Sequence, residues 1–133
     1  MGTVTVRYFV TNLDVSVAFY RDTLDFEVEL QPSPMFAMLY RGDLRLLLSV
    51  PGGPAGGGAT LPDGAVPEPG GWNRFAIQVS DLDDVVAGLK EEGAAFRGEV
   101  VSGVGVKQAL LEDPDHNLVE LYEPLAAYHE RRP

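Results

Sequence analysis

Apolar and polar positions alternate from residue 74 and change period at residue 81. Phe75, Ile77 and Val79 take one face and Arg74, Ala76 and Gln78 the other, the period of two of a strand with one apolar side. Beyond it Leu82, Val85, Val86 and Leu89 fall at i, i+3, i+4 and i+7, a single stripe on a helix predicted over 81–92. Asp81 holds the N-cap place, where its carboxylate is expected to accept from first-turn amides. Asp83 and Asp84 follow at the positive end of the helix dipole. Gly93 supplies the left-handed residue that closes the helix.

The same change of period opens the chain. Residues 3–10 read as a strand, with Val4, Val6, Tyr8 and Val10 on one face and Thr5, Arg7 and Phe9 on the other. A helix starts after Asn12, carries Leu13, Val17, Tyr20 and Leu24 on one stripe, and ends at Asp25, a residue type that tolerates the left-handed turn. Val10–Ala18 lines up with Val79–Ala87 at an offset of 69, and Leu44–Leu48 with Leu118–Tyr122 at an offset of 74. Two echoes in the same order indicate an internal duplication.

Three strands are predicted after each helix. In the first half these are Phe26–Gln31, broken by Pro32-Ser33-Pro34, then Phe36–Tyr40, a tight turn at Arg41-Gly42-Asp43, and Leu44–Val50. In the second they are Phe96–Val101, Val106–Leu111 after the Gly103–Gly105 turn, and Leu118–Tyr122 after the breaker-rich turn Asp113–Asn117. The predicted fold is α+β: two β-α-β-β-β modules at 1–50 and 72–123, a linker at 51–71, and a polar, partly mobile tail at 124–133. The linker has eight glycines and five prolines in 21 residues and nothing to bury, so it is a loop, either a spacer or a lid over a pocket. It lacks a G-x-x-x-x-G-K-[S/T] phosphate cradle.

Composition narrows the function classes. A chain of 133 residues suits one domain, or two small modules sharing a core, with no covalent staple. It contains no cysteine, so disulfides, thiolate nucleophiles and zinc–thiolate centres are excluded; a reducing, cytoplasmic location is expected. No basic-then-apolar start reads as a signal peptide, and no apolar run approaches membrane-spanning length. The net charge of -10 opposes nucleic-acid binding. That charge serves solubility or, through the summed field, favours cationic ligands.

Few residues carry candidate chemistry. The two histidines, His116 and His129, sit in a turn and in the tail, neither beside a hydroxyl and carboxylate on a strand face, so a Ser-His-Asp arrangement is unsupported. Asp113, Asp115, Asn117 and Glu120 lack the calcium-loop pattern, because Leu118 stands where its glycine belongs and the glutamate spacing is wrong. Asp81, Asp83 and Asp84 are explained as capping and dipole compensation. Glu120 differs, since it interrupts the apolar strand Leu118–Tyr122. If Val119 and Leu121 pack on a helix, Glu120 points to the opposite side with Arg74, Ala76 and Gln78. A carboxylate buried there needs a partner, and Arg74 or Arg7 can supply one, either as a structural ion pair or as part of a ligand site.

The segments Asn12–Tyr20, Leu24–Phe26, Val79–Asp83 and Leu111–Leu121, with the duplication, resemble the vicinal-oxygen-chelate superfamily of glyoxalase I, bleomycin-resistance proteins and extradiol dioxygenases. The resemblance covers nearly the whole chain. It implies concave, mixed, mostly antiparallel sheets with helices outside, and a homodimer. It further implies that metal-dependent members take a ligand from the first strand of each module, here Thr5 and Arg74, and a carboxylate from the last strand, here Leu46 and Glu120. Only Glu120 among these suits a divalent metal. The expectation is therefore a small-molecule binder with no cofactor, similar to bleomycin-resistance proteins. Its pocket is expected to be lined by Arg7, Phe9, Leu46, Leu48, Arg74, Gln78, Glu120 and Tyr122, with Arg74 facing Glu120. The alternative is a divalent-metal enzyme: a glyoxalase I-like lyase, an epimerase or an extradiol dioxygenase.

Overall fold

The computed structural model describes residues 2–53 and 56–125, so beyond Leu125 the tail expected at 124–133, with His129, lies outside the described residues. The chain divides into two units. One comprises residues up to Gly71 together with the turn Pro114–Asn117, and the other comprises Trp72–Asp113 and the chain from Leu118.

The first unit runs β1 (Thr5–Phe9), α1 (Leu13–Leu24), β2 (Glu27–Ser33), β3 (Phe36–Arg41) and β4 (Leu44–Ser49). Its sheet has the order β1-β4-β3-β2, with β1 parallel to β4 and the other pairs antiparallel. Asn12 is extended, and its side-chain oxygen accepts from the Val15 amide at 3.2 Å, so α1 starts at the predicted cap. Asp25 ends it in the left-handed region at φ 59°. The helix packs on β2, β3 and β4. Val10, Tyr20, Phe26, Leu39, Leu46 and Leu48 are all but inaccessible to water there. Each such side chain contributes roughly 1.5–3 kcal/mol.

The turn Pro114–Asn117 is fixed inside this unit by its polar groups. Asp115 accepts from the Thr11 amide at 3.0 Å and from the Thr11 hydroxyl at 2.6 Å. Asn117 donates to the Phe9 carbonyl at 2.8 Å and accepts from the Gly70 amide at 2.7 Å. These side chains therefore do structural work in holding β1 and the linker end.

The second unit runs β5 (Arg74–Gln78), α2 (Leu82–Glu91), β6 (Ala95–Phe96), β7 (Val101–Gly103), β8 (Val106–Glu112) and β9 (Leu118–Pro124). The strand order is β5-β9-β8-β6, with β7 also on β8 and β5 parallel to β9. Helix α2 packs on β8 and β9. Val119, Leu121, Ala109, Leu111 and Ile77 are buried and alternate with Glu120, Leu110 and Ala76, so they form the helix side of the sheet. Gly93 takes φ 94° just past the helix end.

Three local expectations are corrected. Strand β2 continues through Pro32 to Ser33, because it is the sheet edge and its register shifts on both sides of Leu30. The strand expected over Phe96–Val101 is two short ones, β6 and β7, with Gly98 between them at φ 78°. Asp81 does not cap α2. It is left-handed at φ 54° and makes no side-chain cap bond, and Glu123 on β9 accepts from the Leu82 amide at 3.0 Å instead.

Candidate functional site

The sheet face of the second unit that α2 leaves open is built from alternate residues of three strands. Arg74, Ala76 and Gln78 of β5 pair in register with Leu118, Glu120 and Tyr122 of β9, and these with Glu112, Leu110 and Gln108 of β8. The Arg74 guanidinium meets Glu120 through two nitrogens, Nε and Nη2, each 3.0 Å from the same oxygen, Oε1. The side chains are 27% and 19% exposed, so the pair is neither sealed nor free in solvent. Arg74 also donates from Nη1 to the Trp72 carbonyl at 3.2 Å. Arg97 pairs with Glu112 at 2.8 Å and lies 4.8 Å from the Trp72 ring centre. The Tyr122 hydroxyl donates to the Gln78 side-chain oxygen across a long 3.5 Å.

In the first unit the open face carries Thr5, Arg7 and Phe9 of β1 in register with Arg45, Leu47 and Ser49 of β4, followed by Tyr40, Met38 and Phe36 of β3. One end of it deepens into a cavity of about 340 Å³. Its walls are Arg7, Phe36, Ser49, Val50, Met35 and Ser33 with the backbone of Gly53 and Gly56–Gly58. The glycine segment returns on itself, the Gly52 amide donating to the Gly58 carbonyl at 2.8 Å and the Thr60 amide to the Gly53 carbonyl at 3.2 Å. The first part of the linker is thus a cavity wall.

A family model of the glyoxalase/bleomycin resistance protein/dioxygenase superfamily matches residues 2–121. The chain belongs to that superfamily. Among solved structures, the lactoylglutathione lyase of Agrobacterium tumefaciens is 23% identical with a TM-score of 0.71, over 92% of each chain. A superfamily member from Sphaerobacter thermophilus DSM 20745 is 23% identical with a TM-score of 0.71, over 92% of this chain and 97% of that one. TnmS3, an antibiotic binding protein from Streptomyces sp. CB03234, is 23% identical with a TM-score of 0.67, over 93% of this chain and 96% of that one. At that identity the likeness speaks for the fold. Among curated proteins none matches significantly.

The placement of the site residues proposed from the sequence divides three ways. Arg74, Gln78, Glu120 and Tyr122 share the open face of the second unit, and Arg7 and Phe9 that of the first. Leu46 and Leu48 do not. They pair with Val6 and Tyr8, are 0% exposed, and stand on the α1 side, so neither belongs to the open face. The offset of 74 that equated Leu46 with Glu120 is one residue too long. Ala76 pairs with Glu120, and Arg7, which lies 69 residues before Ala76, pairs with Leu47. A slip of one residue on a strand exchanges the two faces. The residues that sequence reasoning missed are Ser33, Met35, Phe36, Ser49, Val50 and the linker glycines; the glycine run was their only signal.

The donor set at the superfamily's metal positions does not fit a divalent ion. The first-strand places hold Thr5 and Arg74, and the last-strand places hold Leu47 and Glu120, the latter already engaged by a guanidinium. Among the described residues no three histidine, cysteine, aspartate or glutamate side chains are grouped to hold a metal. One carboxylate beside a fixed cation cannot replace the several oxygen or imidazole ligands such ions take.

Proposed function

We propose that this protein binds a small organic molecule on its open sheet faces without a metal ion, in the manner of the binding members of its superfamily rather than the metalloenzymes. The observation that carries the reading is the Arg74 guanidinium on Glu120 at 3.0 Å. It puts a fixed positive charge where a metal-dependent relative would hold its ion, so the carboxylate is neutralised by the chain itself. On the same face Gln78 and Tyr122 offer polar anchors; the first unit, taken by itself, has a cavity of largely apolar wall beside Arg7 and Phe36, as small-molecule sites usually have. The antibiotic binding protein among the similar folds supports the same class of ligand. A lyase, epimerase or dioxygenase would need metal donors that these faces do not offer.

The test is a thermal-shift titration of the full chain with a panel of polycyclic and glycopeptide drugs, with and without chelator. Stabilisation should grow with free ligand and be the same in both buffers. Stabilisation that appears only with added nickel, zinc, manganese or iron would overturn the reading.

A further inference from the structure

We infer that the cavity of the first unit is a carboxylate site, taking a ligand with an apolar body and one anionic end. The inference rests on the small-molecule reading above and adds the ligand's charge and its place.

Arg7 is the first ground. The chain has 20 acidic and 10 basic residues, so a guanidinium has carboxylates to spare. Arg74 and Arg97 are paired, as are Arg21 and Arg45. Arg7 makes no ion pair or hydrogen bond with any described residue, although it borders the cavity. Its surroundings there are chiefly apolar side chains and glycine backbone. Arg7 is itself exposed at the cavity mouth, so its guanidinium is open to an incoming ligand, and its planar fork is matched by a carboxylate's two oxygens.

Ser49 is the second. The residue is 2% exposed, lines the same cavity, and its Oγ is buried with no hydrogen-bond partner among the described residues. Its register mates are Phe9 and Phe36, so the side chain belongs to the open face and not to the α1 side. A buried hydroxyl is normally paired, and a group that packs against this wall would pair it. By contrast, Ser33 on the same wall already accepts from the Met35 amide at 3.1 Å.

The glycines are the third. A Cβ added at Gly57 would overlap the Arg7 guanidinium, and one at Gly58 would meet the Val50 carbonyl oxygen. Bare backbone therefore lies against the guanidinium, holding it at the cavity edge. The cavity's 340 Å³ falls at the small end of organic-ligand sites, which are roughly 300–1,000 Å³. Because the net charge of -10 repels anions at long range, affinity must come from the local fork.

The experiment is calorimetric titration of the full chain with 1-naphthoate and 4-phenylbutyrate and with their primary amides. The carboxylates should bind at least about tenfold tighter than the amides. Arg7→Met should bring them to the amide level, and Arg7→Lys should recover only part, keeping the charge but not the fork. Ser49→Ala should weaken carboxylate binding a few-fold while the free protein melts no lower than wild type, which a merely structural serine would not allow. Melting curves of each variant exclude misfolding as the cause. Equal binding of carboxylate and amide, unchanged affinity in Arg7→Met, or no carboxylate binding at all overturns the inference. If the amides bind as well as the carboxylates, the small-molecule reading stands and only the anion site falls.

Discussion

Ser16 makes the cost of a buried hydroxyl measurable at a single residue. It is 0% exposed on α1, and its Oγ has no hydrogen-bond partner among the described residues. Replacing it with alanine removes the desolvated group and favours the helix, so Ser16→Ala should stabilise the protein by about 1 kcal/mol in urea unfolding. A loss of stability would mean that the hydroxyl is satisfied. The neighbouring pair Leu46 and Leu47 tests the strand face. Leu46 is 0% exposed against α1, whereas Leu47 stands on the open side. Leu46→Ala should cost about 2–5 kcal/mol, and Leu47→Ala much less. Equal costs would contradict the observed faces. This is also where the sequence misled. Leu44–Leu48 is leucine at four of five positions, so apolar alternation gives no sign of which leucines face in. Residues 74–79, by contrast, alternate charged or polar with apolar, and there the Arg74–Glu120 juxtaposition was legible.

Elements show the same division between local chemistry and long-range partners. The start of α1 at Asn12 and the ends marked by Asp25 and Gly93 were readable because capping is local. The N-terminus of α2 was not, because its amide at Leu82 is served by Glu123, 41 residues away. Glu123→Ala should therefore destabilise the protein by about 1 kcal/mol, while Asp81→Asn, which keeps a residue type that tolerates the left-handed turn, removes no cap bond and should cost less; chemical denaturation of the two variants separates them. The β2–β3 pair carries a pH signature. Glu27 is opposite Tyr40, and the hydrogen bond and charge of its carboxylate raise the Tyr40 phenol above its ordinary value of 10.0. With the folded value raised, this contact's stabilisation is complete below the unfolded pKa and is lost as pH climbs through the folded one. Ultraviolet titration should show a late-ionising component that moves back toward 10.0 in Glu27→Gln; an unmoved titration would contradict the contact.

On the scale of the molecule, duplication made the fold readable, since two strand-to-helix units with matching caps leave few architectures. The cavity of the first unit stayed hidden because its wall is glycine backbone, which has no periodicity to read. Among the described residues no helix is long and apolar enough to cross a membrane. We propose a homodimer, as the superfamily resemblance implies; light scattering at micromolar concentration should give twice the 14.4 kDa chain mass, and a monomeric mass would count against it. The Arg74–Glu120 pair should show a coupling of roughly 1–2 kcal/mol in a double-mutant cycle of Arg74→Met and Glu120→Gln, between exposed and buried pairs. Additive melting shifts would make the two groups independent. The central claim, that this pair stands in place of a metal, is tested most directly by elemental analysis of protein purified without chelator and then dialysed against nickel, zinc, manganese or iron. The account predicts far less than one bound ion per chain in wild type and no change in Glu120→Gln. A stoichiometric ion that is lost in Glu120→Gln would contradict it.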